Sequence, residues 1–408
     1  KLCQMASKIE SAVGLQRICT MKRQTLGITC MAWNKDCSMI ALCPNTSDVH
    51  IYETNGSKIC KKWGTKPAYI LTDHTETVSS IDWSAATDFL VTCSHDRNAY
   101  VWSFDPKENK WNPSLVILRI NRAATMCRWS PLGNKFAVAS SAKFVPVCHY
   151  EAKHKWWVSK PTKKHKSTVL SVAWCPNNKF ILTGSTDYRC RIISAFKKEI
   201  DNADDPYGFG DVFPKQHEFG EILAEFPIAK AWVHDVAWSP SAFRLAFIGH
   251  GSTIHFVQIT ADGDPEVKSI RHNGLPYATI EFLSNKCVVA AGFDYNPHIY
   301  MASDGLGAEP TWSFKTKVDK EEKKQTKKKN KFEKSFGIFE AATTRGETKS
   351  SGPIVTTLHT NTIIQIVPFP NEEGCSKTFA TAGIDGNIHF WDLKKAGVDP
   401  KDIEDEED

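Results

Sequence analysis

Three groups of residues in this chain have the types that nucleophilic catalysis uses: His74, Thr92 and Asp96; His165, Thr183 and Asp187; and His359, Thr381 and Asp385. A hydroxyl beside an imidazole that is itself oriented by a carboxylate can attack an electrophilic carbon. The spacing argues against that use. In each group the Asp follows the Thr by four residues, and the His lies nine residues before Trp83, Trp174 or Pro368. A reaction centre is needed once, whereas a set repeated at matched offsets reads as scaffold chemistry, in which buried polar groups satisfy one another.

The elements that position these residues are visible in the tryptophans. Trp33, Trp83, Trp129, Trp174 and Trp238 each end an apolar run and precede a small or polar residue, at spacings of 50, 46, 45 and 64. Nineteen residues after the first four anchors, alternating strands end at Tyr52, Trp102, Cys148 and Ile193. A fifth unit reaches Phe256, a sixth runs from Phe282 to Tyr300, and a seventh closes with I-H-F-Trp391-Asp392. An Asp stands six residues before four of these strand ends, as Asp96, Asp187, Asp294 and Asp385. A period near 45 built of strand-like segments predicts an all-β ring of seven blades, each a four-stranded antiparallel sheet. The outermost strands are expected at 115–120, 156–158, 222–226 and 353–358. Residues 15–21 would supply the last one, pairing the N-terminal segment (1–27) with the final blade of a ring spanning 28–395 and removing two open sheet edges.

Composition sets the outer bounds. The 408 residues are 41% hydrophobic and 24% charged, enough material for a large core. No apolar run approaches the ~18 residues of a membrane span, and the first 25 residues hold Lys8, Glu10, Arg17, Lys22 and Arg23 in place of an apolar signal core. Thirteen cysteines lie scattered through strand-like stretches with no C-x-x-C, so they read as reduced core thiols and signal neither disulfides nor zinc.

Two inserts depart from the repeat. Residues 197–219 read as a Gly-rich acidic loop, and G-F-G-D-V-F-P lacks the third glycine of a dinucleotide site. Residues 303–352 form a charged insert between blades six and seven. Ten lysines against four acids fall within 315–334, so one segment supplies the whole basic balance of a chain with net charge +5. Phe332, Phe336 and Phe339 follow at i, i+4 and i+7, the spacing of one helical face. A helix this short is marginal in water, and Gly337 weakens it. It is therefore expected to order against a partner's groove. The tail from 396 to 408 is acidic.

The blade pattern resembles that of WD-repeat propellers, which bury an Asp, a His, a Ser or Thr and a Trp together; Trp102 and Trp391 fill the Trp position here. More specific strings are L-V-I-L-R-I-N-R-A-A (115–124), D-R-N-A-Y-V-W (96–102), S-T-V-L-S-V-A-W-C-P-N-N (167–178), T-D-Y-R-C-R-I-I-S-A-F (186–196) and W-V-H-D-V-A-W-S (232–239). They resemble the WD-repeat subunit family of the actin-related protein 2/3 complex, over roughly 28–393. That resemblance implies a non-enzymatic scaffold in the cytoplasmic actin cytoskeleton, packed against the other subunits. It further implies an inter-blade insert that reaches toward the mother filament, and a part in receiving the acidic, Trp-bearing tails of nucleation-promoting factors. By position, Phe332, Phe336 and Phe339 would make the apolar contact, and Lys327, Lys328, Lys329 and Lys331 would steer toward acidic actin. Arg97, Arg119, Arg122, Arg128, Arg189 and Arg191 would form a basic rim.

Two other classes fit the sequence less well. An enzyme built on a propeller would need a motif, and there is no G-x-S-x-G, H-E-x-x-H or Walker loop, nor any cofactor signature. A propeller of another complex, binding nucleic acid or acidic partners through the lysine insert, would show salt-sensitive retention. The insert lacks the interleaved aromatics of a single-strand platform.

Overall fold

The structure is a computed structural model that describes residues 17–20, 27–54, 66–201, 217–260, 265–303, 311–319, 357–369 and 375–403. Seven four-stranded antiparallel sheets are arranged as the blades of a propeller. Counting strands from the axis outward, blade one holds Cys30–Trp33, Met39–Cys43, Val49–Glu53 and Tyr69–Leu71. Blades two to six repeat this order, starting at Val78–Trp83, Ala124–Trp129, Val169–Trp174, Val233–Trp238 and Tyr277–Ser284. Blade seven is composite. Its inner three strands are Ile363–Pro368, Thr378–Gly383 and Asn387–Asp392, and its outermost strand is Arg17–Thr20, antiparallel to Asn387–Asp392 with Thr20 opposite Asn387. Sequence-distant ends thus share one sheet.

Burial follows position in the blade. Second strands are packed on both faces, so Phe180–Ser185 is buried at every residue, whereas the outermost Glu266–Arg271 of blade five is mostly exposed. The core is divided into seven apolar clusters, each lying between two neighbouring blades. The cluster that closes the ring joins Met31, Trp33, Leu42 and Tyr52 of blade one to Ala380, Ala382 and Ile388 of blade seven.

Innermost strands are sheet edges, and their free N–H groups need acceptors. Side chains of the preceding blade provide them. Asp82 accepts from the N–H of Trp129 at 2.6 Å, Asp235 from that of Ile280 at 3.1 Å, and Gln365 from that of Met31 at 2.7 Å while donating to its carbonyl at 2.9 Å.

Strand alternation assigns every loop to one of two ends of the ring. Turns joining second to third strands share an end with the connections between blades; turns joining first to second and third to fourth strands occupy the other. Arg97 and Arg189 lie in second-to-third connections, and Arg119 and Arg122 lie between blades two and three. The long connection between blades six and seven leaves from this same end. Its two ends are tied together: Asp319 exchanges backbone hydrogen bonds with the Asn296 side chain (2.8 and 3.0 Å), and its carboxylate accepts the N–H of Leu358 at 2.6 Å.

Two strand positions differ from expectation. The outer strand of blade two is Lys110–Val116 and ends before most of 115–120. The outer strand of blade six is Thr311–Lys317, paired with His298–Ser303, in the slot expected for 353–358. Trp312 alone turns well inward from it, while the lysines face out. Residues 353–356 lie outside the described residues, as do Phe332, Phe336, Phe339, Lys327, Lys328, Lys329 and Lys331.

Candidate functional site

Blade two brings His74, Thr92, Asp96 and Trp102 together. His74 Nδ1 lies 2.8 Å from Asp96 Oδ2, His74 Nε2 lies 2.8 Å from Thr92 Oγ1, and the Trp102 indole N–H donates to Thr92 Oγ1 at 3.0 Å. Burial lowers the His74 pKa despite the neighbouring Asp96, so the ring is neutral. One tautomer then fits: Nδ1–H donates to the carboxylate, and Nε2 accepts the threonine proton. Asp96 is fixed in turn by the N–H groups of Thr75 and Asn98. Blade seven repeats the set, with His359 at 3.2 Å from Asp385 and 2.8 Å from Thr381, and Trp391 donating to Thr381 at 2.7 Å. Burial opposes ionisation of Asp385, but the His359 hydrogen bond and the N–H of Thr360 hold its carboxyl well below the usual range.

The resemblance to a catalytic triad is close in distance and ends at access. Thr92, Thr381 and Trp102 are buried, and each hydroxyl already serves a His and a Trp. No substrate carbon can reach such an oxygen.

Blade four departs from the pattern. The strand end is Ile193, whose side chain has no N–H to offer, and Arg191 enters the network. Its Nη1 lies 2.8 Å from His165 Nδ1 and 2.9 Å from Asp187 Oδ2, and its Nε donates to Glu225 at 2.7 Å. Thr183 turns to the carbonyl of Arg191 at 3.3 Å instead of meeting His165. Burial and then the Arg191 charge push the His165 pKa down to about 4. Burial works to raise Asp187, but the N–H of Lys166 and the Arg191 charge outweigh it and lower its pKa.

Arg191 therefore does not stand on a rim: it is 1% exposed, an internal counter-ion of Asp187 and Glu225. Arg128 is also displaced from the expected rim. It lies on the first strand of blade three, near the opposite end of the ring, where its guanidinium donates to the carbonyl of Cys127 at 3.0 Å. Arg97, Arg119 and Arg122 are exposed, and Arg189 is half-buried against Glu225. Arg97 has φ of 74° and Arg119 of 57°, so both occupy left-handed turn positions that project their side chains from the backbone.

A further charged group surrounds the axis. Arg128, Asp235 and Glu281 line a cavity of about 280 Å³ together with Trp129, Trp174 and Trp238. Burial, then the charge of Asp235, pushes Glu281 up to about 8; burial, partly offset by Arg128, pushes Asp235 up to about 6. Sequence reasoning named Arg128 but placed it on the rim, and missed Asp235 and Glu281. The available signal was the residue before each anchor, where Asp82, Arg128 and Glu281 interrupt otherwise apolar inner strands.

Ten described cysteines are free thiols, and all but Cys37 are buried. Among the described residues no helix is long and apolar enough to cross a membrane.

Comparison with known proteins adds identity to this geometry. Residues 65–103 and 158–194 match the family WD domain, G-beta repeat. These stretches contain the His, Thr and Asp of blades two and four. The chain is 40% identical over 380 residues to actin-related protein 2/3 complex subunit 1B of Arabidopsis thaliana, covering 90% of this chain and 94% of the relative. It is 38% identical to subunit 1A-B of Xenopus laevis, again over 90% and 94%. Subunit 1 of Schizosaccharomyces pombe is 32% identical, over 85% of this chain and 92% of its own. With likeness of this extent laid over an intact seven-bladed ring, the chain belongs to the family of actin-related protein 2/3 complex subunit 1.

Proposed function

We propose that this chain is a non-catalytic scaffold subunit of an actin-related protein 2/3 complex, working in the cytoplasm with the actin cytoskeleton. The observation that carries the reading is the extent of likeness to subunit 1 relatives, nine-tenths of this chain at up to 40% identity. A rigid ring suits such a role, because seven separate interfaces hold the blades while the loops stay free to meet partners.

The finer proposal concerns the end of the ring that bears Arg97, Arg119, Arg122 and Arg189. It is also the end from which the connection after Asp319 departs. We assign to this end contact with the mother filament and with acidic, Trp-bearing tails of nucleation-promoting factors. Lys327, Lys328, Lys329 and Lys331 would speed encounter with acidic actin, an effect that weakens with salt. Phe332, Phe336 and Phe339 would supply the apolar contact.

The test is purification of the tagged chain from its own cells, followed by mass identification of stably bound chains. Actin-related proteins among them support the assignment; nucleic-acid-binding partners in their place overturn it. In reconstituted complex, replacing the three phenylalanines with Ala should reduce branch density without disassembling the complex. Unchanged branching would remove the insert from the proposal.

A further inference from the structure

Blade six keeps the His and Asp of the repeated pattern, His272 and Asp294, 22 residues apart as in blades two and four, but lacks its Thr and Trp. Four residues before Asp294 stands Ala290 where blades two and seven have Thr, and Tyr300 takes the Trp position. Tyr277, His298 and Tyr300 of the same blade fill the space beside that pair. His272 Nε2 lies 2.7 Å from Asp294 Oδ2, while the N–H of Leu275 donates to Asp294 Oδ1 at 3.0 Å. His298 comes in from the third strand, its ring centroid 4.7 Å from that of His272. Donor atoms of His272, Asp294 and His298 all fall within 4.8 Å of one another.

One ring nitrogen in this group is left without a hydrogen-bond partner. His298 is fully buried, its Nδ1 is 2.6 Å from the hydroxyl of Tyr277, and its Nε2 meets no hydrogen-bond partner. A buried ring nitrogen left without a partner costs stability unless something occupies it. Tyr277 also contacts the hydroxyl of Tyr300 at 2.8 Å. This relay lets His298 Nδ1–H donate to Tyr277, which leaves Nε2 as a lone pair directed away from the tyrosines.

We propose that His272, Asp294 and His298 bind a divalent transition-metal ion of the zinc class. Two imidazoles and one carboxylate form a mixed nitrogen and oxygen set that suits zinc or cobalt and disfavours calcium or magnesium, which take oxygen. The Tyr277 contact supplies the outer hydrogen bond that orients a metal-bound imidazole. Asp294 and His272 keep 19% and 14% of their side-chain surface exposed, so an ion can enter from solvent and retain an open fourth position. Gly274 permits this closeness, since a β-carbon there would meet both Asp294 Oδ2 and His272 Nε2. The ion would tie the connection between blades five and six to the turn of blade six, on the same end of the ring as the arginines. Donors at 272, 294 and 298 match no short metal motif, which is why sequence spacing gave no signal.

The probe is cobalt(II) added to chelator-treated full-length protein, read by visible absorption and displaced by zinc. One equivalent should bind with tetrahedral-type bands, and zinc should raise the melting temperature. Asp294→Asn and His272→Gln, both at partly exposed positions, should abolish the bands, and Tyr277→Phe should weaken binding about 10–100-fold. Asp385→Asn in blade seven should leave binding intact. Absence of bands and of a zinc-dependent shift in the wild-type protein would overturn the proposal. So would binding undiminished in both Asp294→Asn and His272→Gln.

Discussion

Blades two and four hold the same His, Thr and Asp at the same offsets, yet their hydrogen bonds run in opposite directions. In blade two the chain of donors passes from Trp102 to Thr92 to His74 to Asp96, with the imidazole proton on Nδ1. In blade four Arg191 donates to Nδ1 of His165, which moves the proton to Nε2, and that atom has no partner. Two positions decide the outcome: the strand end, Trp102 or Ile193, and the residue two before it, Tyr100 or Arg191. A neutral relay is complete in itself. A buried guanidinium demands acids instead, and it finds Asp187 and Glu225.

The sharpest way to break this contrast is to remove the guanidinium. Arg191→Ala leaves Asp187 buried without its counter-ion and should cost about 3–5 kcal/mol in chemical denaturation. A loss below about 1 kcal/mol would mean that Arg191 is as dispensable as a surface charge. The next effect is one of pH. His165 has a folded pKa of about 4, below the ~6.5 of the unfolded chain, so between these values the unfolded state binds more protons. Its stabilisation is whole above pH 6.5 and fades as pH falls toward 4, by about 3 kcal/mol at the lower limit. His165→Gln should flatten the stability profile in that window.

Smaller still is the hydroxyl. Thr92→Val strips partners from both His74 and Trp102 and should cost about 2 kcal/mol, whereas Thr183→Val loses one long bond and should cost about 1 kcal/mol. Equal losses would show that the two threonines do the same work. Last, Arg97 and Tyr188 follow the Asp of their turns with φ of 74° and 68°. Arg97→Gly and Tyr188→Gly should each stabilise by about 0.5 kcal/mol, the relief of left-handed strain less the entropy of glycine. This step should be the same in both blades, because the turn is shared and the network above it is not.

The ring was readable from sequence because each blade is assembled from neighbouring strands, so the tryptophan period records one blade per repeat. The His, Thr, Asp and Trp of blades two and seven were readable for the same reason. Arg191 was not. It sits directly opposite Glu225 across the two outer strands, 34 residues away and beyond an insert, and no local pattern says that an Arg between Cys190 and Ile192 turns inward. The outer strand of blade six was hidden differently. T-W-S-F-K-T-K alternates properly, but its lysines merge with the basic run that follows and obscure the strand. Asp235 and Glu281 escaped notice because inner strands were read for their apolar residues alone, and Arg128 was assigned to the rim instead of the axis.

The clasp between Asp319 and Leu358 bears on what the ring can carry. These residues are 39 apart in sequence and within hydrogen-bond reach in space, so the two described ends of that connection leave the propeller side by side. Closure cost grows slowly with length, by about 0.6 kcal/mol per doubling. A foreign domain whose own termini lie side by side, such as a fluorescent reporter, could be spliced there with little strain on the blades, giving a means to watch the subunit without touching either chain end.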